Sequence, residues 1–93
     1  MGSVKKRDRL EVIYDILNII SESNNSIKPT PLLRKSNLSS QSFNEYLKDL
    51  LEKDLIKEIN DNKHKKYYSL SDNGFKYLDK YKMIIGFIED FDL

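Results

Sequence analysis

Apolar residues recur along the first part of the chain at helical spacing. Leu10, Ile13, Leu17 and Ile20 stand three, four and three positions apart, and Ile16 and Ile19 widen the stripe. This is the pattern of an amphipathic helix with one face turned to a core. Asp8 precedes it as a cap, and the run Ser21-Glu22-Ser23-Asn24-Asn25-Ser26 ends it with turn formers. Ile27 and Lys28 are too short for a strand of their own, and are expected only to add an edge to a sheet made elsewhere. Thr30-Pro31 predicts a second helix, with a hydroxyl cap and then proline at the first helical position, where its missing N–H costs nothing. It passes Leu32 and Leu33 and closes at Ser36-Asn37. Leu38 is a buried spacer and Ser39 caps a third helix, with Phe43, Tyr46, Leu47, Leu50 and Leu51 on one face. That helix ends at Lys53-Asp54, where aspartate takes the left-handed turn that glycine usually fills.

The period then changes from helical to alternating. Residues 55–59 and 65–70 read as two short strands, joined by Asn60-Asp61-Asn62-Lys63, whose residue types accept positive φ. Tyr68 and Leu70 fall on one face of the second strand, and Lys65, Tyr67 and Ser69 on the other. Ser71 caps a last helix that begins near Asp72 and carries Phe75, Leu78, Tyr81, Ile85 and Ile88. A second stripe holds Ile84, Phe87 and Phe91. That is more apolar circumference than one small domain covers. Pairing with a second copy through Leu78, Tyr81, Ile84, Ile85, Phe87, Ile88 and Phe91 is therefore expected.

The order helix, short extended piece, helix, helix, hairpin, helix is that of a helix-turn-helix followed by a wing. The expected class is α+β and mostly helical: a winged helix-turn-helix with a three-helix core, a two- or three-stranded wing and an additional C-terminal helix for dimerisation. Residues 1–7 form a basic flexible arm, 8–71 the winged domain and 72–93 the dimerisation helix. Three runs carry a family resemblance. Leu38-Ser39-Ser40-Gln41-Ser42-Phe43-Asn44-Glu45-Tyr46-Leu47 with Leu50-Leu51-Glu52-Lys53-Asp54-Leu55-Ile56 resembles a recognition helix and first wing strand. Tyr68-Ser69-Leu70-Ser71-Asp72-Asn73-Gly74 resembles the second wing strand and the following cap. With Leu10-Glu11-Val12-Ile13-Tyr14-Asp15-Ile16-Leu17, the whole is similar to small archaeal winged-helix regulators, among them the dimeric chromatin-associated DNA-binding proteins of Sulfolobus. The resemblance spans roughly residues 8–90 and implies DNA binding by a homodimer. Asp54 departs from the family's glycine, and the last helix is shorter than the one those proteins pair as an antiparallel coiled coil.

Composition narrows the chemistry. At 93 residues the chain is one small domain. It has no cysteine and one histidine, His64, so disulfides, thiolate nucleophiles and Cys- or His-pair metal sites are excluded. No phosphate loop or catalytic pattern is present, so no enzyme, cofactor or small-molecule ligand is expected. No apolar run approaches the roughly 18 residues of a membrane span, and no secretion signal is present, so a cytoplasmic, nucleoid-associated protein is expected. The net charge is +1, yet basic residues cluster. Residues 1–9 carry Lys5, Lys6, Arg7 and Arg9 against Asp8. Residues 28–48 carry Lys28, Arg34, Lys35 and Lys48 against Glu45. The hairpin carries Lys57, Lys63, Lys65 and Lys66 against Glu58 and Asp61, and the end is acidic with Glu89, Asp90 and Asp92.

Double-stranded DNA is the partner these clusters fit. With Phe43 inward, Gln41, Glu45, Lys48 and Glu52 lie opposite, and Ser42, Asn44 and Asp49 on the flanks. Gln, Asn and Ser bond base edges and Lys reaches guanine or phosphate, while Ser39 and Ser40 at the positive helix end anchor phosphate. The late acids confine groove entry to the first half of the helix. Lys63, Lys65 and Lys66 place charge at the wing tip, Tyr67 points outward beside them, and Arg34 stands where this motif meets the backbone. A winged-helix module that binds protein instead of DNA is the alternative; the wing lysines argue against it.

Overall fold

The computed structural model describes residues 7–93. The elements are α1 (Arg9–Glu22), α2 (Pro29–Ser36), α3 (Ser40–Glu52), β1 (Ile56–Asn60), β2 (Lys66–Leu70) and α4 (Asp72–Asp90). Three of the four helices begin where a local acceptor satisfies an orphan N–H. Asp8 Oδ1 accepts from the Glu11 N–H at 2.8 Å, Ser39 Oγ from Ser42 at 3.2 Å, and Ser71 Oγ from Gly74 at 3.1 Å. The second helix departs from expectation. It starts at Pro29 after Lys28, whose side chain makes no capping bond, so Thr30 lies inside the helix and is not its cap. Pro29 with its fixed φ is itself a good first residue, and the earlier of two prolines starts the turn.

One core joins all the elements. Val12, Ile13, Ile16, Leu17 and Ile20 of α1 meet Leu32 of α2, Phe43, Leu47 and Leu50 of α3, Ile56, Tyr68 and Leu70 of the sheet, Ile27, and Leu78 of α4. Tyr14, Leu38 and Tyr46 pack half-buried at its edge. Leu10 and Leu51, assigned to buried stripes by spacing, are exposed, because both sit at the margin of the apolar arc.

β1 and β2 pair antiparallel in the register Ile56↔Leu70 to Asn60↔Lys66, one residue later at the start of β1 than the sequence suggested. Ile27 adds a single bridge to Tyr68, so β2 lies between β1 and the segment before α2. Ser69 lies on the face opposite Tyr68, as the alternation placed it, and is buried there, with its Oγ donating to the Asn25 carbonyl at 2.6 Å. The Asn25 side chain accepts the Leu70 N–H at 2.7 Å. At the hairpin loop none of residues 60–63 has positive φ; His64 takes it, at 62°. The Asp61 carboxylate instead stiffens the loop by accepting the N–H groups of Lys63 and Lys65 at 2.8 and 2.9 Å. Asp54 adopts the left-handed conformation, φ 57°.

Gly74 is where α4 crosses the end of α3 and the start of the sheet. A Cβ there would stand 2.2 Å from the Leu55 carbonyl oxygen, so only glycine allows this approach. Further along, the Tyr77 hydroxyl donates to the Leu10 carbonyl at 2.9 Å, and Tyr81 stacks on Tyr14 with ring centres 4.5 Å apart. Leu78, assigned by spacing to a dimer interface, is buried in the chain's own core because α4 lies on α1 at this level. The rest of the helix leaves Met83, Ile84, Phe87, Ile88 and Phe91 exposed.

Candidate nucleic-acid interface

The third helix turns its apolar residues inward and leaves a polar face free. Phe43, Leu47 and Leu50 are buried, while Ser39, Ser40, Gln41, Asn44, Glu45 and Lys48 are exposed and Ser42 is partly so. Gln41, Asn44 and Lys48 lie within about 60° of one another around the helix axis and form one polar edge. Glu45 and Asp49 fall to the other side of the outward direction.

That acidic side is not bare. The Asp49 carboxylate is held by the Arg9 guanidinium from α1 and by Lys53 Nζ, at 2.5 Å, one turn later. The Lys53 hydrogen bond, with the Arg9 and Lys53 charges, keeps the Asp49 carboxyl below the usual carboxylate range, against an opposing push from burial. Arg9 also lies over the Tyr46 ring, 5.7 Å from its centre. One of the three late acids is thus neutralised within the chain, which lessens its repulsion of phosphate.

The arm assigned to residues 1–7 falls outside the described residues except for Arg7, and Arg7 is tied down. Its Nη1 bonds Asp15 Oδ2 at 2.8 Å and its Nη2 donates to the Ser36 carbonyl at 3.0 Å, at the end of α2. Arg7 therefore braces α1 against the helix-turn-helix. This contact joins residues far apart in sequence, and no local signal marks it.

Arg34 is exposed in the last turn of α2. Lys63, Lys65 and Lys66 are exposed at the wing tip. Lys66 Nζ lies 3.7 Å from Glu58 across the strands, while Tyr67 is half-buried and faces Lys28, whose Nζ is 5.9 Å from its ring centre. Gln41, Asn44 and Lys48 thus stand on α3, and Lys63, Lys65, Lys66 and Tyr67 on the hairpin. Lys28 is the cation the candidate set omitted; the signal for it was the edge-strand reading of Ile27-Lys28, followed through to its register. No cluster of three or more His, Asp or Glu side chains suited to a metal occurs among the described residues. Among them, too, no helix is long and apolar enough to cross a membrane.

This architecture has known relatives. A winged helix-turn-helix family profile matches residues 6–89, and the chain belongs to that family. Among solved structures it is similar to Sso10a-2, a DNA-binding protein from Sulfolobus solfataricus, at 18% identity and TM-score 0.74, covering 91% of this chain and 85% of that one. F93 from STIV, a winged-helix DNA-binding protein, matches at 15% identity and TM-score 0.72, over 86% and 91% of the two chains. The PcaV transcriptional regulator from Streptomyces coelicolor matches at 15% identity and TM-score 0.73, over 84% of this chain and 58% of its own. No curated protein matches in sequence.

Proposed function

We propose that the chain binds double-stranded DNA as a homodimer and acts as a transcriptional regulator. The first half of α3 enters the major groove with Gln41 and Asn44, and Lys48, further along the same polar edge, reaches guanine or phosphate. Ser39, Ser40, Ser42 and Arg34 contact the backbone, and Lys63, Lys65, Lys66 and Tyr67 meet flanking DNA. The observation that carries this reading is the free polar edge of α3, supported from behind by the core and flanked by an acid already paired. The three similar structures, two DNA-binding proteins and a transcriptional regulator, agree with it.

The exposed stripe of Ile84, Phe87, Ile88 and Phe91 supports dimerisation through the far half of α4. Such a pairing covers apolar surface and fixes the spacing of two recognition helices. A cytoplasmic protein associated with the nucleoid follows from this reading.

The test is fluorescence anisotropy with labelled duplexes across a salt series, followed by selection of bound sequences from a random pool. Binding whose logarithm falls linearly with the logarithm of salt supports the proposal, and enrichment of one sequence separates a regulator from a general coat. No binding at about 50 mM salt refutes it.

A further inference from the structure

We propose that the solvent face of the sheet, and not only the tip of its hairpin, contacts the sugar–phosphate backbone of duplex DNA, with Lys28 as its anchoring cation and Tyr67 as the platform. This rests on the DNA-binding reading above.

The register makes the surface. Because Ile27 pairs antiparallel with Tyr68, Lys28 falls opposite Tyr67, and Tyr67 pairs in turn with Ile59. One row, Lys28, Tyr67 and Ile59, therefore crosses all three extended segments. Lys28 Nζ stands 5.9 Å from the Tyr67 ring centre, within cation–π range. Ile59 is 44% exposed beside the half-buried ring. Two positions before Tyr67, the exposed Lys65 stands just outside the end of β2.

The neighbouring carboxylates do not oppose an anion here. Glu58 lies on the other face, where it meets Lys66, and Asp61 Oδ1 accepts two backbone N–H groups of the loop. Lys57, at the far end of the face, shares a polar pocket with Asp54 and Asp72, so the unopposed positive charge lies at the Lys28 and Lys65 end. A ring flanked by ammonium groups suits deoxyribose and phosphate, the ring packing on the sugar and the lysines pairing with phosphate oxygens. No base edge is involved, so the contact acts alike on every sequence. Since Lys28 immediately precedes α2, the surface links the helix-turn-helix to the wing.

The experiment uses the full chain, labelled duplexes of several sequences and a salt series. Lys28 makes no capping bond, so Lys28→Ala is expected to keep the thermal midpoint. Its affinity should fall about eightfold at roughly 0.1 M monovalent salt and its log–log salt slope should become shallower by about one, the loss of one phosphate contact. Lys28→Arg should retain wild-type binding. Tyr67→Ala should weaken binding in the same way, and the double variant should lose less than the product of the two single losses. Lys28→Ala binding with wild-type affinity and slope, while Lys63→Ala/Lys66→Ala binds more weakly, overturns the inference and leaves the tip as the contact. A Lys28→Ala variant with altered preference between sequences overturns it as well. A wild-type chain that binds no duplex removes the DNA-binding reading itself, an outcome the wild-type control separates from the others.

Discussion

Gly74 and Gly86 lie on the same helix, and alanine should move the stability of the protein in opposite directions at the two positions. At Gly74 the added Cβ meets the Leu55 carbonyl oxygen at 2.2 Å and the Leu70 side chain at 3.2 Å. The carbonyl must retreat by about 1 Å to reach ordinary contact. It cannot do so freely, since it accepts the Ser71 N–H at 3.1 Å. Either that bond breaks or α4 lifts away from the core and takes Leu78 with it. Overpacking costs about 1–3 kcal/mol and a lost buried hydrogen bond about 1–3 more, against roughly 1 kcal/mol gained in helix propensity. The net is a loss of about 1–5 kcal/mol, which lowers the melting temperature of a domain this size by roughly 4–40 °C. At Gly86 a Cβ meets nothing within 4 Å, so alanine should add about 0.5–1 kcal/mol, or a few degrees. Urea and thermal unfolding followed by circular dichroism, at matched protein concentration so that any self-association is held constant, measure both. Gly74→Ala within about 0.5 kcal/mol of wild type, or both variants shifting the same way, refutes the close approach.

Replacing Gln41 or Asn44 by alanine should change the preference between duplex sequences by about 1–3 kcal/mol wherever a bidentate base contact is lost, measured by competition binding. Uniform weakening on every sequence instead means that these residues do not read bases. Phe87→Asp should leave the domain folded and convert dimer to monomer by light scattering, because Phe87 is exposed and outside the core. It is a cleaner probe than Ile85, which lines a groove against Tyr14 of α1. An unchanged mass refutes the α4 interface. Asp49 has a depressed carboxyl pKa in the folded chain. The stability its pairs supply is therefore present above the ordinary carboxylate value and disappears as pH falls through the lowered one, below about pH 4. Asp49→Asn should flatten that part of an acid melting profile, and an identical profile in the variant shows that the pairs contribute nothing to folding.

What the sequence alone determined is what depends on neighbours along the chain. Asp8, Ser39 and Ser71 were legible as caps because each acceptor bonds an N–H three residues on. The helix and strand periods gave the element order, and with it the winged architecture. Pro29 as the start of α2, His64 as the positive-φ residue and the burial of Ser69 were not legible, because the choice among adjacent candidates is made by packing. The same holds for the interface. Which side chains of α3 face outward follows from helical periodicity and the position of Phe43. That Asp49 is neutralised by Arg9, that Arg7 clamps the end of α2 and that Lys28 lies over Tyr67 depend on residues 40, 29 and 39 positions apart. Tertiary structure alone brings such groups together, since chain spacing encodes only contacts within a turn or a ladder, while charge pairing across elements is set by how the core seats each helix.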